Sequence, residues 1–399
     1  MSRFLRYSPE QEFLVPPNVK QVLGADHLCF LVHEVVERLE MRPFTDAYGE
    51  EGGALYHPSL MLKVWLYAYA LGLTSARRLV PRVREDLGFR YLAGGAQPDF
   101  WALNAFRRRH GRGLNDAFVQ VLEMLQKLGL ARIGTVAIDS TRVKANASPD
   151  RVEKIEPQRA ERARKRRQVR RWQKACDGDD AQEGAGTSVG NACEQLKQME
   201  GARQLESLPK MLKRSRTDPD SRFLRERGGR FVPGYTGEIA VSEDHFIVAA
   251  RVTQSAQDVH ALLPMVDEVE RVCRQPPQRV LADSGFYSNQ NVAQLSTRGM
   301  DVYVPDPNVA HELNGGPPAA GIGRMQPSDP HLLAMRQKLR TWEGQRRYRQ
   351  RKTIVEPVFG VLKEQRGMRT FRLRGIAKVN NEWILAALAF NLGRLFAQG

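Results

Sequence analysis

The sequence is poor in cysteine and has no recognisable zinc motif. Its four cysteines include no Cys-x-x-Cys pair, and its eight histidines include no His-Glu-x-x-His pattern. These absences exclude the common structural and catalytic zinc sites and a disulfide framework. The cysteines are therefore expected to be reduced thiols.

Long apolar runs are also missing. The two most apolar stretches, residues 59–73 and 383–396, are interrupted by Lys63 and Arg394. Both are shorter than the roughly 20 residues that a membrane span needs. The first residues lack the apolar centre of a signal peptide. We therefore expect a soluble cytoplasmic protein without a membrane partner.

Acidic residues are too few to balance the basic ones. The chain has 61 Lys and Arg against 45 Asp and Glu, a net charge of +16 in 399 residues. Such an excess favours a polyanionic partner, because each phosphate contact releases counterions. Charge alone does not distinguish a nucleic-acid enzyme from a ribosome-associated or membrane-surface protein. The length predicts two or three domains.

Short helices are predicted throughout residues 1–130. Helix starts are expected at four places: Pro58, Ser75, Pro98-Asp99, and Asn115 or Asp116. The third helix ends in the basic run Arg107-Arg108-Arg109. Short helices with terminal arginines are typical of helix-turn-helix DNA-binding domains. The alternative is a helical bundle whose arginines are solvated.

A mixed α/β domain is predicted for residues 131–399. The first strand is expected at 131–139, and the second and third, near 238–242 and 246–253, form a hairpin. Helices then alternate with two further strands, one that ends at Asp283 and one that begins at Asp301. This order predicts a mixed sheet flanked by helices.

An insertion is predicted at about 145–230, between the first strand and the rest of the sheet. It begins with the basic stretch 159–174, which includes Arg166 and Arg167, and continues into a Gly/Asp/Ser-rich segment. Little apolar patterning supports packing of the basic stretch. Such blocks are typical of solvated surfaces or of polyanion-binding segments.

Three carboxylates stand where a metal site could form. Asp139 and Asp283 each follow a short apolar run, and Glu356 precedes Pro357 in a late helical stretch. Strand-end aspartates and a glutamate from a nearby helix would give Mg²⁺ the oxygen ligands that it prefers. Two such ions activate a nucleophile and stabilise the leaving group in phosphodiester chemistry. Alternatively, each residue could simply cap or begin a helix.

Motifs spread over most of the chain resemble those of a known family. The chain is similar to DDE transposases of bacterial insertion sequences, in the IS4/IS5-like group and closest to the IS1182 family. The motifs that carry this resemblance are Tyr56-His57-Pro58-Ser59-Leu60-Met61-Leu62-Lys63, Arg90-Tyr91-Leu92-Ala93-Gly94-Gly95, Pro98-Asp99 with Phe106-Arg107-Arg108-Arg109-His110, Ile138-Asp139-Ser140-Thr141, Gly234-Tyr235 with Ile239-Ala240-Val241, Asp258-Val259-His260, Ala282-Asp283-Ser284-Gly285-Phe286-Tyr287, and Val355-Glu356-Pro357-Val358-Phe359-Gly360 with Lys363.

The resemblance implies an RNase H-like catalytic core. Asp139, Asp283 and Glu356 would bind two Mg²⁺ or Mn²⁺ ions, and Lys363 would contact phosphate beside them. The implied substrates are the double-stranded terminal inverted repeats of the element and its target DNA. Because transposition joins two DNA ends, a homodimer on DNA is expected. The implied location is the bacterial cytoplasm, in association with the nucleoid.

One part of the family pattern is shifted. The signature places a tyrosine and an arginine seven and four residues before the glutamate. Here Tyr348 and Arg351 lie one residue too far upstream of Glu356, and Lys352 occupies the arginine position. A one-residue shift rotates a helical side chain by about 100°. Tyr348, Arg351 and Lys352 are therefore candidate DNA contacts, with ordinary solvated residues as the alternative.

Other functions stay open from the sequence. A stand-alone nuclease of the same fold would cut DNA without joining it. A DNA-binding protein derived from a transposase would bind without cutting. A phosphohydrolase with Asp139 as the nucleophile would leave the basic excess unexplained.

Overall fold

The computed structural model describes residues 18–48, 55–155, 212–225, 229–313, 315 and 329–398. The chain divides into two compact units. The larger comprises residues 1–146 and 234–399, and the smaller comprises residues 147–233. The domain limits expected from the sequence, 1–130 and 131–399, stay predictions.

The described residues before the first strand are helical. They form α1 (Val19–Val22), α2 (Leu28–Glu37), α3 (Arg42–Thr45), α4 (Pro58–Ala70), α5 (Ala76–Glu85), α6 (Leu87–Ala93), α7 (Phe100–Arg109) and α8 (Gly111–Lys127). The predicted starts at Pro58 and Asp99 are confirmed. The Asp99 carboxylate caps α7 by accepting the Ala102 N–H at 2.7 Å.

The helix start predicted at Ser75 is confirmed, whereas the start predicted at Asn115 or Asp116 is not. Ser75 precedes α5, but its side chain makes no capping hydrogen bond. His110 is both the C-cap residue of α7 and the N-cap residue of α8. Helix α8 therefore begins at Gly111 rather than at Asn115. The Asn115 amide instead donates to the Gly111 carbonyl oxygen within the helix at 2.8 Å.

The smaller unit has its own strands. Strand β2 (Val152–Ile155) pairs antiparallel with β3 (Leu212–Ser215), and β4 (Arg222–Arg225) follows. Residues 156–211, which include the basic stretch predicted at 159–174, lie outside the described part of the chain.

The larger unit is built around a mixed sheet. Its strands are β1 (Thr135–Lys144), β5 (Phe231–Ser242, from residue 234 onward), β6 (Ile247–Thr253), β7 (Arg279–Leu281) and β8 (Asp301–Tyr303). The order is β6-β5-β1-β7-β8. Strands β6, β5 and β1 pair antiparallel, whereas β7 and β8 run parallel to β1. The predicted mixed sheet and its hairpin are confirmed.

Strand β1 is longer than the sequence predicts. It continues for five residues beyond Asp139, to Lys144, because β5 also begins earlier and supplies hydrogen-bond partners there. Asp139 therefore lies inside a strand rather than at its end. It is opposite Ile239 in the antiparallel ladder.

Six α-helices follow β6 among the residues that the structure describes. They are α9 (Leu262–Cys273), α10 (Asn289–Thr297), α11 (Pro307–Leu313), α12 (Pro330–Arg340), α13 (Trp342–Gly360) and α14 (Ile376–Phe396). Pro264 falls in the first turn of α9, where its missing N–H costs no helical hydrogen bond. A short 3₁₀ turn, Asp258–His260, precedes α9.

Helix α14 is the centre of the core. Its residues are buried on nearly every side because it packs against β6, α4 and α8. Trp383 is 1% exposed, and its indole N–H donates to the Glu238 carbonyl oxygen at 3.1 Å. A Cβ at Gly237 would come within 2.8 Å of this ring, so glycine permits the approach. Among the described helices, α14 included, none has the length and apolar surface that a membrane span requires.

Candidate active site

Two aspartates lie side by side, one within β1 and the other just after the end of β7, its parallel neighbour. Ala137 of β1 is opposite Leu281 of β7, and Asp139 and Asp283 each follow two residues later. Neighbouring strands lie about 4.8 Å apart, so equivalent positions bring side chains close together. The charge of Asp283 indeed contributes to the pKa of Asp139. The sheet register therefore brings these two predicted residues together.

The Asp139 carboxylate is largely buried and has fixed hydrogen-bond partners. One oxygen accepts the Ser140 N–H at 2.7 Å, and the other accepts from Arg351 Nη1 at 2.9 Å. Burial raises the pKa of Asp139 to about 6, and the nearby charges of Asp283 and Asp258 raise it too, whereas Arg351 lowers it. A cation beside this carboxylate would favour its charged form.

Asp283 also serves as a turn residue. It precedes the 3₁₀ turn Ser284–Phe286, and its Oδ1 accepts the Gly285 N–H at 2.8 Å. The capping alternative for this residue is thus realised in the structure. This contact engages only Oδ1, so it is compatible with a cation at the same carboxylate.

A third aspartate, Asp258, lies beside these two. Ser140 Oγ donates to Asp258 Oδ1 at 2.6 Å. A Cβ at Gly285 would lie 3.4 Å from Asp258 Oδ2 and 3.0 Å from Asp283 Oδ1. Asp258 is not among the site residues predicted from the sequence, although the motif Asp258-Val259-His260 is the signal that could have revealed it.

Helix α13 contributes an arginine and a tyrosine to the site. Arg351 is 9% exposed and points at Asp139 because it shares the buried face of α13 with Val355 and Val358. Tyr348 lies one turn earlier. Burial raises its pKa, and its neighbours include Arg351 and Asp283. The one-residue shift in the family pattern therefore leaves Tyr348 and Arg351 facing the carboxylates, whereas Lys352 is exposed.

Glu356 is placed differently from the two aspartates. It is exposed on α13, and no hydrogen bond or ion pair joins its carboxylate to a described residue. Lys363 follows in the half-buried π-helical segment Val361–Gln365. The described contacts thus bring Asp139 and Asp283 together with Arg351, and none of them connects Glu356 to these residues.

Two family models match separate parts of the chain. Residues 210–392 match the model described as a transposase DDE domain, and residues 17–109 match a transposase domain (DUF772). The two matches indicate a transposase. Asp139 lies between the matched ranges, whereas Asp283, Arg351 and Glu356 lie within the first. No curated protein and no solved structure matches the chain.

The three predicted arginines of the matched N-terminal transposase domain have different environments. Arg108 and Arg109 are exposed at the end of α7. Arg107 is 1% exposed and donates to the Tyr69 hydroxyl at 2.8 Å. The guanidinium of Arg107 is thus enclosed by the helical core, which does not favour the predicted DNA contact of this residue. The predicted Arg166 and Arg167 lie outside the described residues.

The donor set of this transposase site fits a hard divalent cation in its chemistry. Mg²⁺ is often held by one or two carboxylates with water and substrate phosphate completing its shell. Asp139 and Asp283 provide such a pair. Burial is the main cause of the raised pKa of Asp139, with smaller contributions from the charges of Asp283 and Asp258, and a bound cation would favour the charged form of this carboxylate. Among the described residues no three His, Cys, Asp or Glu side chains converge closely enough to bind a metal alone. The residues thus fit a cation that keeps water or phosphate ligands.

Cation binding by this transposase is expected to weaken as the pH falls below about 6, the raised pKa of Asp139. The carboxyl is neutral below that pKa and charged above it, so a cation must displace a proton at low pH. When one proton is displaced, the Mg²⁺ affinity falls by up to about tenfold for each pH unit below that pKa. Mg²⁺ titration calorimetry at pH 5 and pH 8 measures it. Equal affinities at the two pH values would contradict the role of Asp139.

Proposed function

We propose that this transposase binds the terminal inverted repeats of an insertion sequence and catalyses metal-dependent cleavage and strand transfer of DNA. The observation that carries the proposal is the meeting of Asp139, within β1, and Asp283, just after β7, with Arg351 buried beside them. The matches to two transposase domains support it. The excess of basic residues is consistent with a DNA substrate.

We infer that the catalytic core is RNase H-like. Support comes from a sheet in which the antiparallel strands β1, β5 and β6 are followed by β7 and β8, both parallel to β1. In this arrangement the first and fourth of these strands are neighbours. They deliver Asp139 and Asp283 to one place despite 143 intervening residues.

The proposed metal ligands are Asp139, Asp283 and Glu356, and the proposed cofactor is a pair of Mg²⁺ or Mn²⁺ ions. Such ions, when bound, stabilise negative charge on the attacking and leaving oxygens. Arg351 keeps Asp139 oriented through its hydrogen bond. Tyr348 and Lys363 are proposed contacts to the DNA strand near the scissile phosphate.

The proposed DNA track includes the exposed end of α7. Arg108 and Arg109 would contact backbone phosphates, and so would the exposed Lys352 of α13. These contacts fix the position of the DNA without reading its sequence. Because two element ends must be joined, we propose a homodimer assembled on DNA. We also propose that the protein acts in the cytoplasm, on the nucleoid.

Removal of two arginines is expected to weaken DNA binding and its salt dependence. Each phosphate contact contributes about −0.9 to the slope of log K against log salt concentration. The double substitution Arg108→Gln with Arg109→Gln should therefore reduce the slope by about 2. The measurement is fluorescence anisotropy with a labelled duplex at several salt concentrations. Arg298→Gln, which removes an arginine paired with Asp267, is the control, and an unchanged slope in the double variant would contradict the α7 contact.

The function is tested by cleavage of a labelled duplex that carries the element's own ends. The wild-type chain is expected to cut at the end of the inverted repeat with Mg²⁺ and not with EDTA. A duplex of unrelated sequence is the control. A second candidate, a DNA-binding protein without catalytic activity, is favoured by the exposure of Glu356. Specific binding without cutting in either Mg²⁺ or Mn²⁺ would support this second candidate.

A further inference from the structure

Asp258 connects the two strands that carry the proposed metal ligands. It follows β6, yet its Oδ1 accepts a hydrogen bond from Ser140 Oγ at 2.6 Å. The backbone N–H of the same serine donates to Asp139 Oδ1 at 2.7 Å. Ser140 therefore links Asp258 to the Asp139 carboxylate through one side-chain and one backbone hydrogen bond.

The turn after Asp283 packs against Asp258 from the other side. Gly285 lies so close that an added Cβ would be 3.4 Å from Asp258 Oδ2. The Asn291 side chain bonds both turns, because its Nδ2 donates to the Val259 carbonyl oxygen at 2.7 Å and to that of Phe286 at 2.9 Å. Asp258 is thus fixed in place between the segments that carry Asp139 and Asp283.

The buried guanidinium of Arg351 points into the same group of side chains. Arg351 donates from Nη1 to Asp139, while its buried Nε has no hydrogen-bond partner among the described residues. The guanidinium therefore pairs with Asp139, while Asp283 and Asp258 lie near that carboxylate. The remaining negative charge favours a divalent cation, and the free N–H favours an anionic oxygen such as that of a phosphate.

We propose that Asp258 is a positioning residue of the proposed active site, holding Asp139 through Ser140 and supporting the Asp283 turn so that both carboxylates meet one divalent cation. This inference rests on the proposed function. Hydrogen-bonded partners of metal-binding carboxylates orient those ligands, and their loss typically costs 10–100-fold in metal affinity or activity. In this role Asp258 orients the metal ligands and is not one of the three proposed ligands, Asp139, Asp283 and Glu356.

The test is a double-mutant cycle read out by metal affinity. Mg²⁺ binding to the full-length chain without DNA is measured by titration calorimetry for wild type, Ser140→Ala, Asp258→Ala and the double variant. Each single variant should bind about tenfold more weakly. The double variant should also lose about tenfold rather than about 100-fold, because both changes break one connection. Asp267→Ala, in α9 and paired with Arg298, is the matched control and should bind as wild type does.

A conservative variant separates positioning from a general effect on folding. Asp258→Asn keeps an oxygen that can accept from Ser140, so it should recover most of the affinity that Asp258→Ala loses. Thermal unfolding of every variant is recorded in parallel. A purely structural role would lower the unfolding temperature of Asp258→Ala without a coupled change in metal affinity, and that result would overturn the proposal.

The outcomes for this proposal and for the proposed function are distinguishable. Equal Mg²⁺ affinity in wild type and Asp258→Ala, or additive losses in the double variant, would overturn the positioning role while DNA cleavage by wild type still supports the function. Wild type that binds Mg²⁺ with the expected coupling but never cuts DNA would support the positioning role and contradict the function.

Discussion

Replacing Asp139 or Asp283 with asparagine is expected to lower the rate of DNA cleavage by at least about 10³-fold while DNA binding persists. Removal of a metal-binding carboxylate forfeits several kcal/mol of transition-state stabilisation, and about 4 kcal/mol corresponds to that factor. The measurement is single-turnover cleavage of a labelled duplex with saturating protein. Anisotropy with the same duplex establishes that each variant still binds.

Two controls make this prediction specific. Asp139→Asn leaves the buried Arg351 without its anionic partner, so its thermal unfolding must be measured as well. Asp283 forms no ion pair within the described residues, so Asp283→Asn tests catalysis without that complication. Asp267→Asn in α9 removes an exposed carboxylate and should cut at the wild-type rate. Normal cleavage by Asp283→Asn would reduce this residue to a turn cap.

Glu356→Gln decides the third ligand separately. If it cuts as slowly as the aspartate variants, the exposed glutamate joins the site when DNA binds. If it cuts normally, the third carboxylate must come from elsewhere, and Asp258 lies beside both aspartates in the described contacts.

Breaking the buried pair of Arg107 and Glu382 is expected to have the largest effect on stability. Arg107 Nη1 lies 3.8 Å from Glu382 Oε1, and both side chains are at most 1% exposed. Glu382 also accepts the Arg372 and Leu373 N–H groups, at 2.9 and 3.0 Å. Arg107→Met or Glu382→Ala would leave a buried charge without its partner and should lower the free energy of unfolding by about 3–5 kcal/mol.

Denaturant unfolding of these variants measures the effect. The double variant Arg107→Met with Glu382→Ala should lose less than the sum of the single losses, because neither charge remains unpaired. Arg108→Met, at the exposed neighbouring position, is the matched control and should stay within about 0.5 kcal/mol of wild type. If Arg107→Met were as stable as wild type but bound DNA more weakly, Arg107 would instead be a DNA contact.

Local patterns were sufficient to predict much of the sheet. The apolar runs before Asp139 and Asp283 predicted two strands, and the structure places those strands side by side. The hairpin of β5 and β6 followed from two β-rich runs separated by a short polar turn. The length of β1 could not be predicted, because its last five residues are strand only through pairing with β5.

The partners within the site depended on tertiary packing. Arg351 faces Asp139 because α13 lies along β1 with one particular rotation, and sequence spacing alone does not set that rotation. Asp258 meets Ser140 across 118 residues. Arg107 belongs to a basic run that resembles a solvated surface, yet the cavity formed by Trp65, Tyr69 and Glu382 encloses it. Long-range contacts of this kind leave no local sequence signature.

The most direct test of the proposed transposition chemistry is a joining reaction. A duplex that ends in a pre-cut 3′-hydroxyl at the inverted repeat is incubated with wild-type protein, Mg²⁺ and a target plasmid. The account predicts a plasmid covalently joined to the labelled strand, and no such product with Asp283→Asn or with EDTA. Efficient cutting of the uncut duplex without any joined product would contradict transposition and indicate a stand-alone nuclease.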